Sequence, residues 1–452
     1  MDLEKVAVVG LGYVGLSFAC ALASEGFKVI GLDKDYDKVR MIEKGLTPIY
    51  EEGLDKLLKK ALEEGNFKLT LDYEEMIKFS NICFICVGTP SKQDGSVDLS
   101  YLEDASRMIG RALKNKKEYY LIVVRSTIPP GTTINVVKKI VEEESGKSLT
   151  DYGLCFNPEF LREGKALQDI FNPDRIIIGC LDKVSREALL NFYKRFYNDN
   201  IPPILVTTPT NAELIKYANN AFLAMKISFI NMISQLCQNL PGADVRIVAD
   251  GIGMDRRIGR EYLDAGLGWG GSCFPKDIVG LLKIGESIGV RLPLIEATLE
   301  VNDSQIGNAV NLAEKLIGCI HGRNIAVLGL AFKPGTDDVR ESRSMKLIEK
   351  LLELGAIVKV HDPRALERAR EILKDKVSYA LSIEECLQDA DLCILATEWE
   401  EYRKLKQEML KRFMKNPALL DCRRLYDPRE FREVKFAAIG LGTPQPETYE
   451  PL

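Results

Sequence analysis

Histidine is almost missing from this chain: His321 and His361 are the two among 452 residues. Neither stands beside another group at zinc-ligand spacing, which argues against a metal site and against a histidine base. Long apolar runs are missing too. Ile82 to Val87 and Ile325 to Leu330 fall far below the roughly 20 residues that cross a bilayer, so no membrane partner is expected. No basic segment followed by an apolar stretch opens the sequence; a strand of nucleotide-binding type begins there instead, and the expected location is cytoplasmic. There is also no excess of one charge: 61 basic residues face 66 acidic ones, for a formal net charge of −5. Without a basic stripe a nucleic-acid partner is not expected, and any anionic ligand has to be held by local groups.

Cysteine is present but not as a framework. Eleven residues, odd in number and scattered, fit a reducing compartment and read mostly as small buried hydrophobes. Cys83 and Cys86 have redox spacing, yet they lie inside the apolar run from Ile82 to Val87, which reads as a buried strand. A chain of this length is expected to form two or three domains.

The first thirty-odd residues read as strand, glycine turn, helix, strand: Val6 to Val9, then Gly10-Leu11-Gly12-Tyr13-Val14-Gly15, an apolar helix to Gly26, and Lys28 to Asp33. This is a βαβ unit. A lone GxGxxG is a weak signal, but one that follows a strand, opens a helix and is followed about 20 residues later by an acid is a strong one. Gly10 permits the tight turn, Gly12 lets backbone approach a pyrophosphate, and Gly15 lets helix and strand pack closely. Asp33 can accept from a ribose 2′-hydroxyl and would repel a 2′-phosphate, so NAD is expected rather than NADP. Short apolar runs at Ile82 to Val87, Leu121 to Val124 and Ile176 to Gly179 alternate with helical patterns, as in a parallel sheet covered on both faces.

After Pro209 a long helical stretch runs from Asn211 to about Leu240, apolar on more than one face, which predicts packing against a partner subunit. Lys216 and Asn220 share one of its faces. Glu213 reads as an ordinary solvated ion-pair partner of Lys216, whereas the adjacent amides Asn219 and Asn220 would need partners if buried. The segment Gly266-Leu267-Gly268-Trp269-Gly270-Gly271-Ser272-Cys273-Phe274-Pro275-Lys276-Asp277 then opens another helix. Cys273 at its N-terminus is where the helix dipole lowers a thiol pKa normally near about 8.5, the setting of a nucleophile; the alternative is a structural cysteine with Asp277 as a dipole-favourable residue. The loops Arg125 to Gly131 and Asn157 to Gly164 follow strands, on the edge where α/β sheets bind ligands, although Thr127 and Glu159 could equally serve turns. From Asn324 a second, smaller α/β unit begins, without a complete GxGxxG.

Seven segments together resemble the UDP-glucose/GDP-mannose dehydrogenase family: Gly10 to Gly15, Val87 to Pro90, Ser126 to Thr132, Asn157 to Leu161, Lys216 to Asn220, Gly270 to Asp277 and Phe332 to Ser342. The resemblance spans essentially the whole chain. It implies two Rossmann-like doubly wound α/β domains, residues 1–205 for NAD and 306–452 for a UDP-sugar, joined by a central helical domain, 206–305, with a long helix. It implies a four-electron oxidation with Cys273 as nucleophile, Lys216 and Asn220 stabilising the oxyanion, Lys216 also a possible base, and Asp277 with Thr127 activating water, Glu159 being a further proton carrier. By the same resemblance NAD meets Gly10, Gly12, Tyr13, Val14, Gly15, Asp33, Lys38, Thr89, Thr127, Glu163, Lys276 and Arg340. The nucleotide sugar meets Glu159, Phe160, Leu161, Lys216, Asn220, Tyr262, Gly270, Phe332, Lys333 and Arg423, with Arg257 reaching in from a neighbouring subunit of a homodimer or higher oligomer. No metal is implied.

The run around Cys273 is similar to members that act on UDP-glucose; GDP-mannose and UDP-N-acetylhexosamines are the alternatives. A one-step alcohol dehydrogenase with a structural Cys273 and a non-catalytic sensor of NAD or nucleotide sugar are the competing classes. One departure stands out. Where the family usually shows Asp-Gly-Arg-Asn, this chain has Asp421-Cys422-Arg423-Arg424, which puts the uridine contacts in question.

Overall fold

The computed structural model describes residues 3–198 and 200–443. Its contacts divide the chain into two compact units, residues 1–219 with 279–287, and 220–278 with 288–452. Of the three divisions, one falls inside the 31-residue helix Pro209–Asn239, one inside Phe274–Ser287 and one at the end of the latter.

The first unit is built on eight strands: β1 (Lys5–Val9), β2 (Lys28–Leu32), β3 (Phe67–Thr70), β4 (Ile82–Ile85), β5 (Tyr120–Val124), β6 (Tyr152–Phe156), β7 (Ile176–Cys180) and β8 (Ile204–Thr207). They lie in the order β3-β2-β1-β4-β5-β6-β7-β8, so the chain reverses direction across the sheet between β1 and β4. That reversal opens the crevice where α/β sheets bind nucleotides. Successive residues feed opposite faces. Val6, Val8, Phe84, Leu121 and Val123 pack with the first helix, Tyr13–Ser24, while Ala7, Val9, Cys83, Ile85, Ile122 and Val124 pack on the other side. The central strands β4, β5 and β6 are therefore wholly buried, which explains their continuous apolar runs, while β8 has no buried residue.

The expected all-parallel sheet holds through β6 and then breaks. β7 runs antiparallel to β6, with Cys155 opposite Cys180, and β8 is again parallel to β7. The physical reason is the connection: between β6 and β7 stands the single six-residue helix Ala166–Phe171, packed with the first helix, rather than a full crossover helix.

The second unit repeats the scheme with β9 (Asn324–Leu328), β10 (Ile357–His361), β11 (Ser378–Tyr379), β12 (Leu392–Leu395), β13 (Ala418–Asp421) and β14 (Lys435–Ala438), ordered β11-β10-β9-β12-β13-β14. All its pairings are parallel. One face of this sheet is covered by a helical region that includes Ile230, Val245, Leu267 and Ala309. The other carries Cys386, Tyr402, Leu410 and Phe431. The architecture is α/β, with two Rossmann-like sheets and a helical central region. Among the described residues no helix is long and apolar enough to cross a membrane, and no cluster of three or more His, Cys, Asp or Glu could hold a metal.

Candidate functional site

In the first unit the glycine motif forms the expected turn. Gly10 has φ +90°, and a Cβ there would lie 2.9 Å from the backbone of Cys86 and Val87; at Gly15 it would lie 1.8 Å from the Gly10 carbonyl oxygen. Gly12 differs. It meets nothing within 4 Å, has φ −83° and caps the first helix, whose opening residues are Tyr13 and Val14. The motif therefore presents an open, side-chain-free helix N-terminus, which fits a dinucleotide phosphate.

Asp33 sits just past the end of β2. Its Oδ2 accepts from the Leu11 N–H at 2.8 Å and from Lys38 Nζ at 2.9 Å, and its Oδ1 accepts from the Asp35 N–H at 3.0 Å. Burial alone would raise its pKa, but these donors and the Lys38 charge outweigh that and hold it below the usual carboxylate value. The second unit has a matching acid, Asp362, after β10. Its Oδ2 accepts from the Leu330 and Ala331 N–H groups and from Trp399 Nε1, and its Oδ1 from the Arg364 and Ala365 N–H groups. Asp362 thus takes five donors, and Asp33 takes three among the described residues.

The loops after β4, β5 and β6 are tied together. Thr89 Oγ1 donates to the Thr127 carbonyl at 2.7 Å, and Ser126 Oγ to the Val87 carbonyl at 2.6 Å. The buried Arg125 guanidinium donates to Asn157 and Tyr193 and stacks on Phe18. Glu159, after β6, forms a buried ion pair with Lys216, Oε1 to Nζ 3.0 Å, and accepts from the Leu161 N–H at 2.6 Å. Burial opposes its ionisation, yet Lys216, that N–H and the Arg125 charge together lower its pKa. Phe160 packs under Lys216 and Arg175, and Arg175 donates to Asn219 at 2.6 Å. Glu163 is half-buried, and Gly164 just beyond it donates its N–H to Glu51.

Sequence reasoning misread one of these residues. Glu213 is not a solvated partner of Lys216. It is fully buried and accepts from the Gly131 N–H, the Thr133 N–H and the Thr133 hydroxyl. Glu51, not considered from sequence, accepts likewise from the Gly164 and Ala166 N–H groups. Nothing local in the sequence pointed to either, because the partners lie 80 to 115 residues away along the chain.

In the second unit Cys273 is exposed and immediately precedes the helix Phe274–Ser287, its carbonyl accepting from the Asp277 N–H at 3.0 Å. Asp277, buried, accepts from Asn220 Nδ2 at 2.6 Å and pairs with Lys276 at 2.5 Å. Most other cysteines contrast with it, Cys319 being exposed as well: Cys83 and Cys86 are buried in β4 and just after it, and burial pushes the Cys86 thiol up to about 12. The glycines before Cys273 are there for close passage. A Cβ at Gly268 would lie 2.2 Å from Asn302 Oδ1, at Gly270 2.1 Å from the Glu341 carbonyl oxygen, and at Gly271 2.7 Å from the Phe332 ring. Asn302 meanwhile clasps Trp269 through both N–H and C=O.

The residues expected around a nucleotide sugar fall as follows. Tyr262 holds a left-handed φ of +63° and its ring lies 6.4 Å from that of Phe274; such strain in a non-glycine residue collects at functional sites. Arg423 donates to the Phe332 and Ala396 carbonyls and pairs with Glu398, and Lys333 lies over the Phe332 ring. Arg340 pairs with Asp338 and the exposed Arg257 with Asp255. The departure at 421–424 is accommodated locally: Cys422 is buried and Arg424, at φ +56°, pairs with Asp244.

Three family models match in succession: the NAD binding domain of the UDP-glucose/GDP-mannose dehydrogenase family over residues 4–197, its central domain over 210–304 and its UDP binding domain over 326–428. The chain belongs to the UDP-glucose/GDP-mannose dehydrogenase family. It is similar to the UDP-glucose 6-dehydrogenase TuaD of Bacillus subtilis, 40% identical with 99% of this chain and 95% of that one covered. Among solved structures it is similar to a UDP-glucose dehydrogenase from the archaeon Pyrobaculum islandicum, with TM-score 0.89, 42% identity and 97% and 98% coverage. A UDP-D-ManNAc dehydrogenase from Pyrococcus horikoshii is also similar, with TM-score 0.84, 28% identity and 96% and 99% coverage.

Proposed function

We propose that this protein is an NAD-dependent UDP-glucose 6-dehydrogenase that oxidises the C6 alcohol to the carboxylate through a thioester on Cys273. The observation that carries the reading is an exposed cysteine at the N-terminus of a helix whose first turn carries the buried Asp277, hydrogen-bonded to Asn220 of the long helix. Similarity to two proteins named as UDP-glucose dehydrogenases at 40% and 42% identity, against 28% for the UDP-D-ManNAc dehydrogenase, favours UDP-glucose.

NAD, when bound, supplies a hydride acceptor for each of two oxidations. The open Gly12 turn receives its pyrophosphate, Asp33 its ribose, and Thr89, Thr127, Glu163, Lys276 and Arg340 are the further contacts. In the first oxidation the Glu159 carboxylate receives the proton of the C6 hydroxyl, while the Lys216 ammonium beside it stabilises the alkoxide. The Cys273 thiolate then adds to the aldehyde carbon, forming a C–S bond and turning the carbonyl oxygen into an oxyanion. Lys216 and the Asn220 amide stabilise that charge. Adding the nucleophile is what allows a second hydride to leave, since a bare aldehyde holds its hydrogen. Water, its proton taken with the help of Asp277 and Thr127, attacks the thioester; the C–S bond breaks, the thiol is restored and the carboxylate departs. Arg423 and Lys333 suit the diphosphate, with Phe160, Leu161, Tyr262, Gly270 and Phe332 as the remaining lining.

The long helix also supports a homodimer. Phe222, Phe229 and Leu236 recur every seven residues with Met232 between them, and all four are exposed in the single chain. Incubating the protein with NAD and UDP-glucose and counting NADH per sugar tests the central reading: two NADH support it and one removes the thioester.

A further inference from the structure

Burying a carboxylate is costly unless donors replace the lost water, and Glu213 is fully buried. What it touches explains why an acid stands there. Pro129 and Pro130 have no N–H to offer, so after Ile128 the next backbone donors of the loop come at Gly131, Thr132 and Thr133. The Thr132 N–H turns back to the Pro129 carbonyl at 3.1 Å. The Gly131 N–H, presented by a φ of +91°, goes to Glu213 Oε2 at 2.5 Å; the Thr133 N–H and hydroxyl go to Oε1 at 2.8 and 2.6 Å. Three donors on one group need a carboxylate; a glutamine has only one acceptor atom. The same residues begin the π-helix Thr133–Lys138, so the acid also closes a helix N-terminus.

Glu213 lies three residues before Lys216, on the same face of the long helix. Two consecutive turns thus grip two strand-end loops, Glu213 the loop after β5 and Lys216, through Glu159, the loop after β6. The Thr127 carbonyl in turn receives Thr89 from the loop after β4. We infer that Glu213 is a positioning residue that sets the Thr127 loop in register with Lys216 and Glu159. This rests on the reading of those residues given above.

The test compares the full chain with Glu213→Gln, Thr133→Val, which deletes one donor and leaves the acid, and Thr133→Ser, which keeps the hydroxyl. Amide hydrogen exchange at 131–135 is expected to rise at least about tenfold in Glu213→Gln while β1, β4 and β5 keep their protection. With it kcat falls by about tenfold or more, and KM for UDP-glucose stays within about threefold. Thr133→Val moves the same way by a smaller factor and Thr133→Ser tracks the parent, which keeps the test decisive if Glu213→Gln does not fold. Faster exchange in the loop with kcat unchanged overturns the inference, and so does a fall in kcat that comes only with loss of protection throughout the unit. If the parent makes no NADH with any nucleotide sugar, the functional reading fails instead. The clamp is then judged on NAD affinity, expected to weaken at least about threefold in Glu213→Gln; unchanged affinity overturns it.

Discussion

Lys216 and Glu159 form an ion pair of 3.0 Å in which both side chains are buried, one from the long helix and one from the loop after β6. A pair of this kind is costly to break on one side, because the surviving charge is left in low dielectric. Lys216→Met is therefore expected to destabilise the protein by about 3–5 kcal/mol in chemical denaturation, and to abolish NADH formation. Glu159→Gln is expected to be damaging on both counts, and normal stability with lost activity would separate chemistry from packing.

The same pair sets a pH dependence. Because the folded protein holds Glu159 below its ordinary pKa, the stability this carboxylate contributes is fully present above about 4.3, the unfolded value. It is lost as pH falls through the lower folded value. Denaturation curves should show a loss of stability in that acid range that is much reduced in Glu159→Gln.

Gly12 and Gly15 should respond in opposite ways to the same substitution. A methyl at Gly15 meets the Gly10 carbonyl oxygen, and one at Gly12 meets open space. Gly15→Ala is expected to lower the melting temperature. Gly12→Ala should leave it unchanged and raise KM for NAD about tenfold or more by standing where the phosphate approaches.

Asp33 should govern the choice of dinucleotide. Replacing it with Ser removes a ribose acceptor and releases Lys38, its partner at 2.9 Å, to meet a 2′-phosphate. The ratio of kcat/KM for NADP over NAD should rise by about tenfold or more, equivalent to about 1.4 kcal/mol. An unchanged ratio would place cofactor choice elsewhere.

The exposed ridge on the long helix offers a separate check. Phe229→Asp with Leu236→Asp should shift sedimentation from dimer to monomer, since charge on an apolar interface costs far more than on a solvated face.

What the sequence made legible was local. The glycine turn with Asp33 about 20 residues on, the buried strands and Cys273 at a helix start all depend on spacing within one or two elements, and the structure has them in those places. Contacts across long separations were not legible. Glu213 lies 80 residues from Thr133 and 82 from Gly131, so its nearness to Lys216 in sequence pointed to the wrong partner. Glu51 meets Gly164 across 113 residues. The antiparallel β7 was hidden because buried strands carry the same apolar pattern in either direction. Arg424 finds Asp244 only through the fold.

The central claim is that Cys273 carries the sugar between two oxidations. The most direct measurement counts NADH released per UDP-glucose consumed, for the parent and for Cys273→Ser, with mass spectrometry of the quenched protein. The account predicts two NADH and a cysteine-bound intermediate in the parent, and no completed second oxidation in the variant. Two NADH from Cys273→Ser at the parent rate, or one NADH with free aldehyde from the parent, would contradict it.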